Sequence, residues 1–276
     1  MPKPLVVILK GWDGKQLAYE SLKLLNVEKA VGSYDEIIVK PNITIETHPS
    51  TGLVTDPNVV EGVIKYLKEI GEKRIIIAEG GGCDTTKAFE TLGYAKIARK
   101  YNVELLDVNR APARKIRVKN YRYIKSFWIS EVALGEKFII SVPSLKTHTD
   151  EWRVTLGMKN MMGLLAPGKR GRLHKDDRGI IDLLSIIRPN LTVVDGIIGA
   201  EGHELSGSPV KMGIIVAGYD FVAVDSVCSA IMGFNPLEIR HIRLAQEVGF
   251  GIADLSRIEI LGPPIDSLMR KFKSPD

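Results

Sequence analysis

Hydrophobic residues in the first third of the chain fall into short unbroken runs separated by stretches with helical spacing. Residues 5–9, 36–40, 74–79 and 103–108 are rich in Val and Ile and bounded by turn residues, which predicts buried strands. Between them, residues 15–25 and 58–70 carry apolar positions on one helical face. The second of these is well punctuated: Asp56 is a candidate N-cap, Pro57 fits the first turn and Gly71 follows the last turn. Strands alternating with helices predict a parallel sheet covered by crossover helices.

Past Arg110 the rhythm changes. Residues 115–118, 126–129 and 137–142 read as strands with little helix between them, an antiparallel insertion or edge. Residues 143–178 hold few regular runs and many Gly, Lys, Arg, Met and Asn, so a long irregular segment is expected there, of the kind that serves function or moves. The alternation resumes with a helix at 179–187, strands at 191–194 and 212–217, helices at 222–232 and 236–248, and a strand at 257–261. The prediction is an α/β fold, a mostly parallel sheet with helices on both faces. It forms one domain over residues 1–276, with sub-lobes 1–110 and 179–276 joined by a basic middle segment, 111–178.

Composition narrows the class. The 276 residues are 45% hydrophobic and 26% charged, with 26 Gly and 14 Pro, which excludes a disordered tail, a collagen-like rod and a coiled coil. Cys83 and Cys228 lie far apart without Cys or His at ligand spacing, so no intrinsic iron–sulfur or zinc framework is expected. The apolar run at 5–9 is too brief for a signal sequence or membrane span, which predicts a cytoplasmic protein that crosses no membrane. Dense Lys/Glu usage with long Ile/Val strands suits a thermophilic source.

The net charge of +5 is unevenly spread. Arg110, Arg114, Lys115, Arg117, Lys119, Arg122 and Lys125 follow one another without an acidic residue, and Lys169, Arg170, Arg172, Lys175 and Arg178 form a second cluster. Such runs attract anions, nucleic acid among them, or form a solvated basic face. Tyr121, Tyr123, Phe127 and Trp128 lie within reach to stack on unpaired bases.

Four segments carry candidate chemistry, each leaving a predicted strand, and in open α/β sheets ligands gather at that edge. Lys40 and Asn42, around Pro41, are placed to orient an anionic group, or form an ordinary turn. Glu79 leads into Gly80, Gly81 and Gly82, where amides can approach a ligand, although neither a phosphate loop nor a dinucleotide fingerprint is present. Lys146, Thr147 and His148, followed by Thr155, Lys159, Asn160 and Gly163, bring together cations, hydroxyls and an imidazole suited to acid–base work. Lys146 is also a candidate nucleophile if burial lowers its pKa. Asp195 and Glu201 place carboxylates on a glycine-rich loop, where with Glu79 they would bind a divalent cation or act as acid and base, or else cap the turn and pair with a cation. Asp220 and Asp225 bracket the following helix, with Asp220 as its N-cap. Met158, Met161 and Met162, near Trp152, read as an apolar wall or as core.

Taken together, Lys40-Pro41-Asn42, Thr55-Asp56-Pro57, Lys146-Thr147-His148, Lys159-Asn160 with Gly163, Asp195 through Glu201-Gly202, Gly207 with Pro209-Val210-Lys211, and Asp220 through Ala223-Val224-Asp225 resemble domain of unknown function family 362. The family is defined by sequence and lacks a general assigned activity. Some members are fused to ferredoxin-like iron–sulfur modules, which implies a redox setting. This chain lacks that module, so electron transfer would need a separate ferredoxin-type partner. Thr55-Asp56-Pro57, the helix after it and the strand and loop at 75–82 are also similar to the nickel-pincer lactate racemases, whose histidine-rich motif is absent. The leading expectation is an enzyme or enzyme subunit that binds a small anionic molecule at the sheet rim. Lys40, Asn42, Gly81, Thr147, Lys159 and Asn160 would bind it, and Lys146, His148, Glu79, Asp195 and Glu201 would handle protons or a metal. The alternatives are a nucleic-acid-binding protein and an accessory protein that docks a ferredoxin.

Overall fold

Val and Ile alternate sides along each central strand, and this period of two divides the core into two halves across one sheet. Val7, Ile37, Val39, Ile75, Ile77 and Val193 belong to one buried cluster; Val6, Ile8, Ile38, Ile76 and Val194 belong to the other. The computed structural model describes residues 3–149 and 153–274. In chain order the first part holds β1 (Leu5–Lys10), α1 (Gly14–Leu24), α2 (Val27–Val31), β2 (Glu36–Pro41), α3 (Pro57–Glu69), β3 (Arg74–Glu79), α4 (Thr85–Thr91), α5 (Tyr94–Tyr101) and β4 (Glu104–Asp107). The middle holds β5 (Ala113–Arg117), β6 (Ser126–Ser130), β7 (Phe138–Val142), β8 (Ser144–Thr147), β9 (Val154–Thr155) and α6 (Gly157–Asn160). The last part holds α7 (Arg178–Leu184), β10 (Leu191–Glu201), β11 (Ser208–Gly218), α8 (Phe221–Ile231), α9 (Arg240–Glu247), β12 (Glu259–Leu261) and α10 (Ile265–Leu268).

The main sheet runs β12-β1-β11-β10-β7-β2-β3-β4, with β8 and β9 branching from β10. Pairing is parallel along the row except at β11, which runs antiparallel to both β1 and β10. The fold is therefore α/β with a mostly parallel sheet and helices on both faces. The two expected sub-lobes share this sheet, because β1 lies between β11 and β12 from the end of the chain. Caps end the helices as the sequence predicts. Asp56 accepts from the Asn58 amide ahead of α3, and Asp220 accepts from the Val222 and Ala223 amides ahead of α8.

Three expectations change. The segment 137–142 is not part of the insertion: β7 is buried along its whole length and pairs with β2 and β10 at the centre of the main sheet, leaving β5 and β6 as a separate antiparallel pair. The stretch 194–201 is strand rather than loop. Its glycines mark close approaches instead of a turn, since a Cβ on Gly199 would lie 2.6 Å from the Leu145 carbonyl oxygen. The segment 143–178 is also more ordered than its composition predicts. Its β8 pairs with β10 and β9, and a bonded pair of α6 amides anchors its second half. Met158 and Met161 are fully buried core; Trp152 lies outside the described residues. Among the described residues no helix is long and apolar enough to cross a membrane.

Candidate active site

The strands β2, β3 and β8 end on one edge of the sheet, beside the point where the strand order reverses between β7 and β2, and their last residues open into a cleft of about 270 Å³. Its walls include Lys40, Asn42, Glu79, Gly81, Lys146, His148, Lys159 and Asn160, all sequence-level candidates, together with Thr155, Arg170, His174 and Glu204. Four formal cations, Lys40, Lys146, Lys159 and Arg170, face two carboxylates, Glu79 and Glu204. Lys40, Lys146 and Lys159 are each at most 5% exposed, and so is Glu79. Charged groups are almost never buried this deeply unless paired, and clusters of them in a cleft mark candidate sites.

Lys40 and Glu79 form the floor. The Lys40 ammonium donates to the Glu79 carboxylate at 2.8 Å, to the Pro41 carbonyl at 2.9 Å and to the Asn160 side-chain oxygen at 3.0 Å. Three acceptors match its three protons. Burial pulls its pKa below the ordinary lysine value, against the opposing pull of Glu79. Glu79 also accepts from the Ile43 and Gly80 amides. Asn160 donates to the Lys40 carbonyl and the Ser141 hydroxyl, so all its hydrogen-bonding capacity on that side is engaged by the protein. Gly163 admits this arrangement: a Cβ there would lie 2.5 Å from a Glu79 oxygen and 2.6 Å from the Lys40 nitrogen.

The glycine turn behaves similarly. The Gly80, Gly81 and Gly82 amides donate to Glu79, to the Thr85 hydroxyl and to the Thr44 carbonyl, so they are not an open anion cradle. The Gly81 carbonyl instead accepts from Arg170 and Asn109. Arg170 is further tied to Asn109 and the Leu165 carbonyl, which fixes its guanidinium against the cleft.

The opposite wall has unspent chemistry. Lys146 donates to the Leu53 carbonyl at 2.7 Å and the Glu204 carbonyl at 3.3 Å, and burial lowers its pKa to about 8. Burial also holds Lys159 well below the ordinary lysine value, and Lys146 adds to the effect. The His148 ring stacks on His174 with centroids 5.7 Å apart. Its Nδ1 faces the Thr149 carbonyl at 2.9 Å, a bond that needs the proton on Nδ1, and its Nε2 lies 3.7 Å from a Glu204 carboxylate oxygen. Burial first, and the nearby Lys159 second, lower His148 to about 4, so the ring is neutral at physiological pH. The buried Thr155 hydroxyl has no hydrogen-bond partner among the described residues.

Three sequence-level candidates lie elsewhere. Asp195 is buried, accepts from the Asp56 and Ile197 amides and so fixes the entry to α3; burial raises it to about 7. Glu201 accepts from the Lys273 amide and lines a separate surface depression. Thr147 donates to the Gly202 carbonyl and holds the loop that carries Glu204. The three carboxylates Glu79, Asp195 and Glu201 are therefore not brought together, and among the described residues no group of three or more His, Cys, Asp or Glu forms a metal-binding set. Asp225 acts from behind the site, accepting from the Gly157 and Met158 amides and setting the start of α6, which carries Lys159 and Asn160.

Sequence reasoning missed Arg170, His174 and Glu204 as site residues. Arg170 lay within a basic run that reads as surface, with His174 beside it, and Glu204 carried only its position next to His203 as a signal.

Fold and site together define an α/β protein with a cation-lined cleft at the carboxyl edge of its sheet. The chain belongs to the family described as Domain of unknown function (DUF362), whose model matches residues 37–230. It is similar to the thylakoid-associated protein sll1697 of Synechocystis sp., 23% identical over 252 residues that cover 88% of this chain and 77% of that protein. Among solved structures it is similar to the lactate racemase apoprotein from Thermoanaerobacterium thermosaccharolyticum, with a TM-score of 0.49 and 13% identity. The match covers 86% of this chain and 58% of the length of that racemase.

Proposed function

We propose that the protein is an enzyme, or an enzyme subunit, that binds a small carboxylate- or phosphate-bearing organic substrate in this cleft and moves protons on it. The observation that carries this reading is the buried excess of cations over carboxylates, an arrangement that weakens the empty fold and is relieved by an anion. Lys159 and Arg170 hold the negative charge with Lys146 in the same cleft, the Thr155 hydroxyl offers a directional bond, and neutral His148 serves as base. Lys40 and Asn160 belong to the frame, because their polar atoms are engaged by the protein.

An anion that enters favours the charged form of Lys159, whose pKa burial and the neighbouring Lys146 lower, so binding near the pH where that lysine titrates should be accompanied by proton uptake. Titration calorimetry with small mono- and dicarboxylates and phosphates, repeated in buffers of different ionisation enthalpy, tests this. Saturable binding with proton uptake supports the reading; absence of binding by every anion in the panel removes it.

A second reading rests on the β5–β6 hairpin, where Arg110, Arg114, Lys115, Arg117, Lys119, Arg122 and Lys125 are all exposed beside Trp128. Asp182 pins the turn through the Arg122, Tyr123 and Ile124 amides, and the strand period of two puts Lys115 and Arg117 on the Trp128 side of the hairpin. That face suits single-stranded nucleic acid or an acidic ferredoxin-type partner. Trp128 fluorescence titrated with an oligonucleotide, then with a ferredoxin, at low and high salt separates the two. No salt-dependent change with either eliminates both.

A further inference from the structure

The buried lysines of the cleft differ in what accepts from them. Lys40 has three acceptors, one a carboxylate, in the tetrahedral set an ammonium needs. Lys146 has two among the described residues, both neutral carbonyls, those of Leu53 and Glu204. Two acceptors match the two N–H groups of a neutral amine and leave the nitrogen lone pair as its remaining direction. Lys146 lines the cleft, is 1% exposed and is held by strand β8 on one side and the Leu53 carbonyl on the other, so this nitrogen is fixed rather than mobile. A fixed, desolvated amine beside another cation is the arrangement of an imine-forming lysine.

We propose that Lys146 is a nucleophile whose amine forms an imine with the carbonyl carbon of a small 2-oxo acid seated in the cleft. This rests on the anion-binding reading above. The carboxylate of the oxo acid lies toward Lys159 and Arg170, and the cleft's volume of about 270 Å³ favours a small molecule with its carbonyl and carboxylate close together. In the step, the Lys146 nitrogen bonds to the carbonyl carbon while the carbonyl oxygen takes the nitrogen's proton, with His148 Nε2 placed on the same wall to relay it. The resulting hydroxyl leaves as water after taking a proton from solvent, the nitrogen lone pair closes the C=N bond, and the nitrogen returns its remaining proton to solvent. One amine and one oxo acid give one imine and one water, with no change in oxidation state. At a pKa of about 8, roughly a tenth of Lys146 is unprotonated at neutral pH, about three hundredfold more than of an exposed lysine.

The test is reductive trapping of the full chain. The protein is incubated with pyruvate, and separately with 2-oxoglutarate, in the presence of cyanoborohydride, and then analysed as intact mass and as mapped peptides. Thermal shift with each oxo acid is read in parallel without reductant. The expected result is one adduct per chain, heavier by one oxo acid less one oxygen, on the peptide that contains Lys146. It should be absent from Lys146→Arg, and exposed lysines should be labelled at least about tenfold less. Oxo-acid binding without an adduct on Lys146 would overturn the imine and leave the anion site standing. Labelling confined to exposed lysines would overturn it equally, and neither binding nor labelling would overturn both readings. The wild-type peptide map decides the matter even if the arginine variant fails to fold.

Discussion

Replacing Glu79 by Ala probes the frame of the cleft most directly. The substitution strands the Lys40 ammonium, whose side chain is 1% exposed, with only the Pro41 carbonyl and Asn160 as acceptors. Removing one member of a buried ion pair costs about 3–5 kcal/mol, chiefly because the remaining charge is left uncompensated. The Ile43 and Gly80 amides also lose their acceptor, at about 1–3 kcal/mol each when no water replaces it. Both amides lie close to the cleft, so water should meet part of that loss. We therefore expect about 4–6 kcal/mol of destabilisation, a large share of the roughly 5–15 kcal/mol that holds a typical domain together. Urea unfolding followed by circular dichroism measures it, as a lower midpoint at unchanged slope. Glu79→Gln, which keeps an acceptor and loses only the charge, should fall roughly halfway. The double variant Lys40→Met/Glu79→Leu should recover much of the loss, since an apolar pair of similar volume can replace a buried ion pair at little cost. A loss below about 1 kcal/mol for Glu79→Ala, or a double variant as unstable as the sum of the single ones, would refute the argument that this pair holds the cleft floor.

Gly163→Ala should act through the same pair: its methyl would lie 2.5 Å from Glu79 and 2.6 Å from Lys40, and overpacking of this kind costs about 1–3 kcal/mol, read as a lower melting temperature together with weaker anion binding. Lys159→Met should raise the pKa of His148 from about 4 by roughly a unit, because it removes the cation that, after burial, holds the ring down; NMR titration of the imidazole follows this, and an unmoved or lowered value would refute it. Burial raises Asp225 to about 7, above its unfolded value, so its contribution to stability is present at low pH and is lost as pH rises from about 4 through about 7. Asp225→Asn should flatten the fall in urea midpoint between about pH 4 and pH 7, whereas a wild-type stability that climbs through Asp225's range and an Asn variant with the same slope would contradict the assignment.

Much of the fold was legible because its strands are nearly continuous apolar runs: β2 and β3 begin where the pattern begins, and the cap at Asp56 fixes the start of α3 to one residue. The far ends of β10 and β11 were not. Their glycines and prolines break the apolar pattern, and their strand conformation comes from pairing with each other and, for β10, with β8, which is information held in distant residues. The edge where chemistry gathers was legible too, since Lys40, Glu79 and Lys146 each end a strand and all three line the cleft. The division of labour within it was not. Sequence places Lys40 and Lys146 in equivalent positions, and only the acceptors around each nitrogen separate a cation that belongs to the fold from one offered to a ligand. Asp195 shows the converse: a carboxylate just past the predicted strand 191–194, in fact inside β10, whose acceptor atoms are both used by backbone amides.

That division predicts opposite consequences for two similar substitutions. Among the described residues Lys40→Met removes the one side-chain cation bonded to Glu79 and leaves a 3% exposed carboxylate with backbone amides, so about 3–5 kcal/mol of stability should go with it. Lys146→Met removes an amine that burial holds at about 8, below its unfolded value near 10.5. For a base lowered in this way the fold binds its proton less tightly than the unfolded chain does. The penalty is in force below about pH 8 and fades as pH rises toward 10.5. At neutral pH the methionine relieves that penalty and loses two hydrogen bonds to carbonyls, each worth about 1 kcal/mol, so stability should change by no more than about 1 kcal/mol in either direction. Urea unfolding of both variants, beside calorimetry with the anion that wild type binds, gives the comparison. A Lys146→Met protein as stable as wild type and unable to bind places this lysine in the site and outside the scaffold, whereas a loss equal to that of Lys40→Met would make the two lysines equivalent members of the fold and remove the ground for assigning chemistry to either.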